Sequence, residues 1–481
     1  MSIINPELVE DHERFRAELA SIRPDGKRRW IYARKPKGAF TRYRTILSWF
    51  LLAFLVLAPF VKVGGHQFLL FNILTREFVF FGVPFWPNDF YLVALLFLTG
   101  VVTIVVFTAT LGRLWCGWLC PQTIFMEMVF RKIEWLIEGG PKEQAQRSAG
   151  PWTFDRTWRA LTKVVVFAAI SFGIANIFLS YIISSDELRK YVTDGPFKHG
   201  ELFVGLVFFT FVFFMVFYRF REQACLIACP YGRYMSALVD ENTVAVTYDY
   251  KRGESRAKWT REDNEAKKHA GEGAFRRTEG KGDCVDCHQC VTVCPTGIDI
   301  RNGIQLECVN CTACIDACDE VMDKVGLDRG LVRYTSMSTV ERGRGSFWTK
   351  RIKAYATVWV VLVAVVGTLF ALRNDLDVVI LRQEGTTWQK MSGGVANFYR
   401  IQIINKTNTQ LSYNMAVVSP QGFTIVPLGV DSLVPAESMS KGRFILVRGA
   451  NAPAGNDTKV SIELRRNGEP FRTITTSFIA P

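Results

Sequence analysis

The chain has 481 residues, of which 49% are apolar and 37 are Phe, with a formal charge of +13. That apolar load is more than a soluble fold usually carries, so part of it must face lipid. The basic excess gathers beside the apolar runs, where anionic lipid and topology rules account for it, and no nucleic-acid partner is expected.

Residues 1–45 form a basic arm. Lys27, Arg28, Arg29, Arg34, Lys35 and Lys37 lie well before the first apolar run, which lacks the layout of a cleaved signal peptide, so the first span should stay in place. Five segments approach the roughly 20 apolar residues that a bilayer core requires, at 46–63, 91–110, 164–183, 202–218 and 354–372. Lys and Arg are dense in the arm, in 113–163 and in 219–353, and sparse after spans one and three. By the positive-inside rule the arm and both basic loops are cytoplasmic, and the connection containing 78–86 and everything beyond Leu372 lie outside. The expected localisation is the bacterial inner membrane. Pro59 should kink or end the first helix, and Asn176, the strongly polar side chain of span three, is expected to bond a neighbouring helix. A cofactor or substrate path is the alternative reading of that amide.

The domain plan is four spans with a cytoplasmic loop over 46–219, a second cytoplasmic loop over 220–353, the fifth span at 354–372, and an outer domain over 375–481. Within the second loop, 251–282 is polar with no periodic apolar face and reads as a linker. Its GEGAFRRTEG stretch follows no strand, which makes a nucleotide loop a poor reading. After 375 the pattern alternates at 378–381, 398–404, 411–418, 444–447, 460–464 and 471–478, as short strands do. About a hundred residues so arranged suit an all-β immunoglobulin-like sandwich without the Cys and Trp markers of antibody domains. Asn405-Lys406-Thr407 and Asn456-Asp457-Thr458 match the short glycosylation pattern, which arises often by chance.

All 12 cysteines fall between Cys116 and Cys318. Cys284-x2-Cys287-x2-Cys290-x3-Cys294-Pro295 is followed by Cys308-x2-Cys311-x2-Cys314-x3-Cys318, the bacterial two-cluster ferredoxin run written twice. Three close thiolates hold one face of a 4Fe-4S cubane, and the fourth of each run reaches the other cluster. Cluster one should therefore use Cys284, Cys287, Cys290 and Cys318, and cluster two Cys308, Cys311, Cys314 and Cys294, in a ferredoxin-like domain at about 280–325. Four-cysteine zinc sites seldom repeat this spacing. Asp319 stands where the second run would have Pro, which puts the local turn in doubt. His288 reads as an exposed loop residue, since the thiolate count is already complete.

A second pair of motifs lies outside this segment, Cys116-Gly-Trp-Leu-Cys120-Pro121 after span two and Cys225-Leu-Ile-Ala-Cys229-Pro230 after span four. If the intervening residues are helical, cysteines four apart share a face and can hold a soft metal; Cu(I), zinc and an iron–sulfur cluster all remain open. Small buried residues at a helix start would not explain the repeat after alternate spans. Met126 and Met128 are either thioether ligands or helix packing.

GRLWCGWLCPQ, CLIACPYGR and the double ferredoxin run resemble the membrane ferredoxins related to quinol dehydrogenases and nitrous-oxide-reduction accessory proteins. With FNILTREFVFFGVPFWPNDFY after the first span and the β-rich end, nearly the whole chain is more similar to the cytochrome oxidase accessory family called CcoG, FixG or RdxA. The resemblance implies reduction of Cu(II) to Cu(I) for assembly of cbb3-type cytochrome c oxidase, with Cys116, Cys120, Cys225 and Cys229 as the catalytic copper site and the clusters as one-electron donors. It also implies oxidase subunits or copper-loading factors as partners and a cytoplasmic electron donor, because no flavin or nicotinamide site is visible. A quinol-linked electron conduit and a non-enzymatic assembly scaffold are the alternatives.

Overall fold

Five helices are long and apolar enough to cross a bilayer, Ala39–Phe60, Phe90–Leu111, Phe154–Ile183, Gly200–Phe220 and Lys350–Ala371. They belong to a computed structural model that describes residues 21–22, 25, 27–73, 77–86, 89–195, 197–269, 276, 279–305, 307–374 and 376–480, except 386, 392–393, 408, 430–432, 437, 450–451, 454, 456 and 467–468. Two compact units are present, Met1–Val366 and Gly367–Pro481.

The first helix begins at Ala39, upstream of the apolar run that hydropathy detects, because its first turn is capped from a distance. Asp316 accepts the Phe40 and Thr41 amides at 3.1 and 2.7 Å and the Thr41 hydroxyl at 2.6 Å. A carboxylate on orphan amides at the positive end of a helix dipole offsets the polar residues of that turn. Pro59 ends the α-helix: it stops at Leu57, a 3-10 turn covers Ala58–Phe60, and the chain leaves as strand β1, Lys62–Val63. The third helix also starts early, at Phe154, with the Thr153 side chain accepting the Arg156 amide at 3.3 Å. Asn176 donates to the Phe172 carbonyl at 2.8 Å within its own helix, so it does not bridge to a neighbour as expected. A single i−4 carbonyl satisfies the amide locally.

After the first span, β1 pairs with β2 (His66–Gln67), and β3 (Leu69–Asn72), β4 (Glu77–Phe80) and β5 (Val83–Phe85) form an antiparallel sheet. Residues 74–76 and 87–88 of the aromatic motif lie outside the described residues.

The cluster segment is clasped by β6 (Ala245–Tyr248), antiparallel to β7 (Val332–Thr335). Val246, Tyr248, Ile300, Ile315, Met322 and Leu331 form the core beneath this pair. The segment predicted as a linker is packed where it is described. Arg276 is fully buried, its Nε donating to the Gly282 carbonyl at 3.0 Å, Nη2 to Ala257 at 2.8 Å and Nη1 to Asp263 at 3.2 Å. One caged guanidinium anchors a stretch with no apolar periodicity for the sequence to display. Residues 270–275 and 277–278, including most of the glycine-bearing stretch, lie outside the described residues.

The second unit carries β8 (Leu376–Arg382), β9 (Gln389–Met391), β10 (Gly394–Asn405), β11 (Leu411–Ser419), β12 (Phe423–Leu428), β13 (Leu433–Val434), β14 (Met439–Arg448), β15 (Asp457–Arg466) and β16 (Glu469–Ile479). One sheet runs β12-β14-β10-β8 with β9 on β10, and the other β13-β11-β15-β16. Strand alternation turns Tyr399, Ile401 and Ile403 of β10, Phe444 and Leu446 of β14, and Val460, Ile462 and Leu464 of β15 into one core. The Asn405 side chain is buried and donates to the Thr409 and Pro435 carbonyls at 2.8 and 2.9 Å, which makes it structural. Asn456 of the other glycosylation match lies outside the described residues.

Candidate iron–sulfur and thiol centre

The two ferredoxin runs repeat in backbone conformation as well as in spacing. Asp286 and His288 in the first, and Asn310 and Thr312 in the second, occupy the same places relative to their cysteines, and all four have positive φ, at 48°, 54°, 52° and 65°. Asp, Asn and His tolerate this region; Thr does so at a cost, which is met where surrounding structure fixes the turn. Each strained turn precedes a helix, Gln289–Thr292 in the first run and Ala313–Val325 in the second. The second helix runs on through Asp319, which a proline at that place would have interrupted. The Asp319 carboxylate instead accepts the Gly330 amide at 2.9 Å.

The fold sorts the eight sulfurs into two groups. One small cavity is lined by Cys294, Cys308, Cys311 and Cys314, with Val246, Ile298, Ile300 and Val309 supplying an apolar wall. A second is lined by Cys284, Cys287, Cys290 and Cys318 with Val285, Met322, Leu331 and Val332. Cys290 borders both. The electrostatic neighbours divide in the same way: Cys318 is flanked by Cys290, Cys284 and Cys287, and Cys314 chiefly by Cys311, Cys308 and Cys294. Burial pushes the Cys290 and Cys308 thiols up to about 12 and Cys311 to about 11. Such sulfurs become thiolates when a cationic core takes the place of their protons. The donor set, the apolar walls and the paired turns fit two cubanes. His288 is exposed, and its Nδ1 meets Arg301 Nη2 at 2.8 Å.

The outer pair of motifs folds differently from the single helical face that spacing suggests. A helical turn covers Leu114–Trp118, and Cys120 is extended, capping a short helix that starts at Pro121. In the second motif a π-type turn covers Ala224–Ala228, and Cys229 is extended before Pro230. In both, the second cysteine's amide donates to the carbonyl five residues back, Cys120 to Trp115 and Cys229 to Ala224, each at 2.9 Å. The proline that follows forces this exit from the helix, since it disfavours α geometry at the residue before it.

The two motifs come together. Cys116 has Cys120 and Cys229 among its electrostatic neighbours, and Cys225 has Cys120, Cys116 and Cys229. Burial pushes Cys116 to about 11 and Cys225 to about 12, with Arg113 opposing the shift at Cys116. Several contacts hold the halves in place. Tyr231 and Thr108 share a hydroxyl hydrogen bond of 2.8 Å, and Arg221 donates to Glu134 with Nη2 at 2.8 Å and Nη1 at 3.1 Å. Phe130 stacks on Phe217 with centroids 4.4 Å apart. Met126 packs in this aromatic cluster, and the Met128 sulfur accepts from the Thr45 hydroxyl at 3.9 Å. Among the described residues no three Cys, His, Asp or Glu side chains converge tightly enough to chelate a single ion. A cubane spaces its ligand sulfurs more widely than one ion does, but a copper site on the outer thiols would need them to close up.

This thiol group adjoins the second ferredoxin run. Cys116 shares an apolar cluster with Val309, Cys311, Ala313 and Ala317. Gly117 is required there, because a Cβ on it would collide with the Val309 carbonyl oxygen. The Asn310 carbonyl accepts Trp118 Nε1 at 3.2 Å and the Tyr334 hydroxyl at 2.9 Å, and its amide Nδ2 donates to Leu111 at 3.4 Å. Arg113, buried, acts on both Cys116 and Cys308. Arg113 and Asn310 lie inside the cysteine motifs themselves, but neither residue type carries a spacing signal in the sequence.

Known proteins share these features. Residues 220–337 match a family profile described as a 4Fe-4S dicluster domain, 93–138 one described as a 4Fe-4S binding domain, and 366–481 one described as the IG-like fold at the C-terminal of FixG. The chain is 33% identical over 468 residues to Protein RdxA of Cereibacter sphaeroides, covering 92% of this chain and 94% of that one. It is 31% identical over 477 residues to Nitrogen fixation protein FixG of Rhizobium meliloti, covering 87% and 88%. Protein RdxB of Cereibacter sphaeroides is 31% identical over 467 residues, covering 92% and 95%. These matches and the five apolar helices describe a membrane iron–sulfur protein with redox chemistry.

Proposed function

We propose that this chain, which belongs to the FixG/RdxA family of membrane iron–sulfur proteins, reduces Cu(II) to Cu(I) on the cytoplasmic side of the bacterial inner membrane, for assembly of a cbb3-type cytochrome c oxidase. Cys284, Cys287, Cys290 and Cys318 would hold one 4Fe-4S cluster and Cys308, Cys311, Cys314 and Cys294 the other, supplying single electrons. Cys116, Cys120, Cys225 and Cys229 take the copper ion as substrate: thiols lose protons, sulfur–copper bonds form, and one electron converts Cu(II) to Cu(I). Soft thiolates favour the reduced ion, which helps drive the step. Arg113 holds positive charge between the thiol group and Cys308.

The observation that carries this reading is the placement of Cys116 against Cys311 in one apolar cluster. With donor and acceptor on one side, the transfer also avoids the membrane field, worth about 2.3 kcal/mol per charge per 100 mV. The test is anaerobic protein reduced with dithionite and mixed with Cu(II), following iron–sulfur absorbance and Cu(I) capture by a chelator. Rapid re-oxidation that Cys116→Ser and Cys229→Ser abolish, with iron retained, is expected; unchanged re-oxidation in both variants would refute the copper role.

A second reading has specific support, since the 4Fe-4S binding profile spans 93–138 and so includes Cys116 and Cys120. In it the four outer thiols hold a third cluster. Iron content separates the two, at about eight per chain for two cubanes and about twelve for three.

A further inference from the structure

A cavity of about 970 Å³ opens beside the second ferredoxin run, and the function proposed above does not use it. Its wall includes Cys308 and Val246, which also line the Cys294/Cys308/Cys311/Cys314 cavity, and Tyr248 and Arg301, which also line the Cys284/Cys287/Cys290/Cys318 cavity. A molecule bound there therefore touches the walls of both sulfur-lined cavities. Its volume falls within the range of organic-ligand sites and far exceeds what one ion needs.

The lining charges decide the ligand class. Five carboxylates face three arginines. Each arginine is engaged: Arg256 with Glu254 at 2.7 Å, Arg301 with Asp299 and Asp286 at 2.6 Å each, and Arg113 with the Cys116 sulfur. The five carboxylates outnumber these partnered guanidiniums, and an acidic wall disfavours the phosphates of nucleotide-bearing flavins and nicotinamides. Tyr248, Tyr250, Ile304, Val239 and Met337 offer apolar and aromatic surface. Gly112 and Arg113 directly follow the second span, and the Leu238 carbonyl beside Val239 accepts Arg351 Nη2 at 2.5 Å near the start of the fifth. One wall thus lies at the ends of two spans, where a lipid-soluble molecule arrives.

We propose that this cavity binds a hydroquinone, the donor that the copper-reductase reading leaves unnamed; the inference rests on that reading for the electrons' destination. Oxidation breaks two O–H bonds. The protons pass to wall carboxylates such as Glu254, which already accepts the Tyr248 hydroxyl at 3.2 Å, and Glu341, and the two electrons pass singly to the two oxidised iron–sulfur centres, leaving a quinone.

The test uses the full chain in detergent with menadiol as probe. Menadiol reduces the iron–sulfur absorbance of the wild type, and filling the cavity in Ile304→Trp or Val239→Trp slows this by roughly tenfold or more, while dithionite still reduces both variants fully. Equilibrium dialysis of menadione against the oxidised, cluster-loaded full chain gives a readout independent of turnover, and its binding falls in the same variants. Menadiol that fails to reduce a dithionite-reducible wild type, or that reduces the filled variants at the wild-type rate, would overturn the site. Failure of Cu(II) to re-oxidise dithionite-reduced protein would instead overturn the copper reading and leave menadiol reduction standing.

Discussion

Replacing Glu134 tests whether the junction between the two thiol motifs is held by charge. The carboxylate lies on Arg131–Glu138, beyond the first motif, and its bidentate partner Arg221 lies just before the second. Their side chains are 4% and 5% exposed, and Lys163 Nζ reaches Glu134 at 2.5 Å. Burial alone would raise the Glu134 carboxyl, but the Arg221 and Lys163 charges outweigh it and hold the group below the ordinary carboxylate range. Glu134→Gln keeps the shape and leaves the buried guanidinium with only the more distant Glu222 carboxylate at 3.9 Å, which costs up to about 3–5 kcal/mol. Against a typical total of roughly 5–15 kcal/mol, that is enough to lower the midpoint of thermal unfolding measurably. The informative comparison is Glu134→Gln with Arg221→Met. Removing both partners eliminates the uncompensated charge, and Lys163 retains Glu138 at 3.2 Å, so the double variant should regain most of the lost stability. Thermal unfolding in detergent, followed by loss of iron–sulfur absorbance, measures all three proteins. A double variant no more stable than Glu134→Gln would refute the argument and assign the junction's strength to the Phe130–Phe217 stack.

Acidification tests the same pair with the sign fixed in advance: since the folded carboxyl titrates below its unfolded value, its contribution is complete above that unfolded value, about 4.3, and is lost as pH falls through the folded one, so wild-type and Glu134→Gln unfolding midpoints should begin to converge as pH falls below the unfolded value. Gly117→Ala drives a methyl into the Val309 carbonyl and should cost about 1–3 kcal/mol while slowing Cu(II) re-oxidation at unchanged iron content. Gly173→Ala, in a helix interior with nothing within 4 Å of the added Cβ, serves as the control and should not lower stability and should leave re-oxidation unchanged. Asp316→Asn removes the charge that caps the first span and should weaken that turn by about 0.3–1 kcal/mol, read as faster hydrogen exchange at the Phe40 and Thr41 amides; amides that stay equally protected would show that the cap contributes nothing.

The parts of the molecule that were legible in the sequence are those whose cause is local. Five apolar runs announce five helices because a bilayer core demands length, and eight cysteines at cubane spacing announce their chemistry because three of each four ligands lie within one loop. Strand alternation in the last hundred residues reports a sheet buried on one face. What escaped was decided by individual polar contacts that leave no periodic pattern. The first helix starts at Ala39 because of Asp316, far along the chain, and no hydropathy window can contain both. The charged segment around Arg276 packs through one buried guanidinium, a device without periodicity. Asn176 could be seen to need a partner, but its own helix supplied the carbonyl.

The outer thiols illustrate a deeper limit. Helical spacing predicted that each cysteine pair shares a face, yet Cys120 and Cys229 both leave their helices in extended geometry, forced out by Pro121 and Pro230. The same prolines begin new helices, and the second of these carries Tyr231 to Thr108 and so draws the two motifs together. A residue that reads as a helix breaker thus helps to assemble a site from two loops. The Cys-Pro pair is better regarded as one unit, in which the cysteine supplies the thiol and the proline sets its exit angle. Replacing Pro121 or Pro230 with Ala would let the preceding helix continue and turn one sulfur away from the other three; on the copper reading proposed above, Cu(II) would then re-oxidise the dithionite-reduced protein more slowly while every thiol remained present.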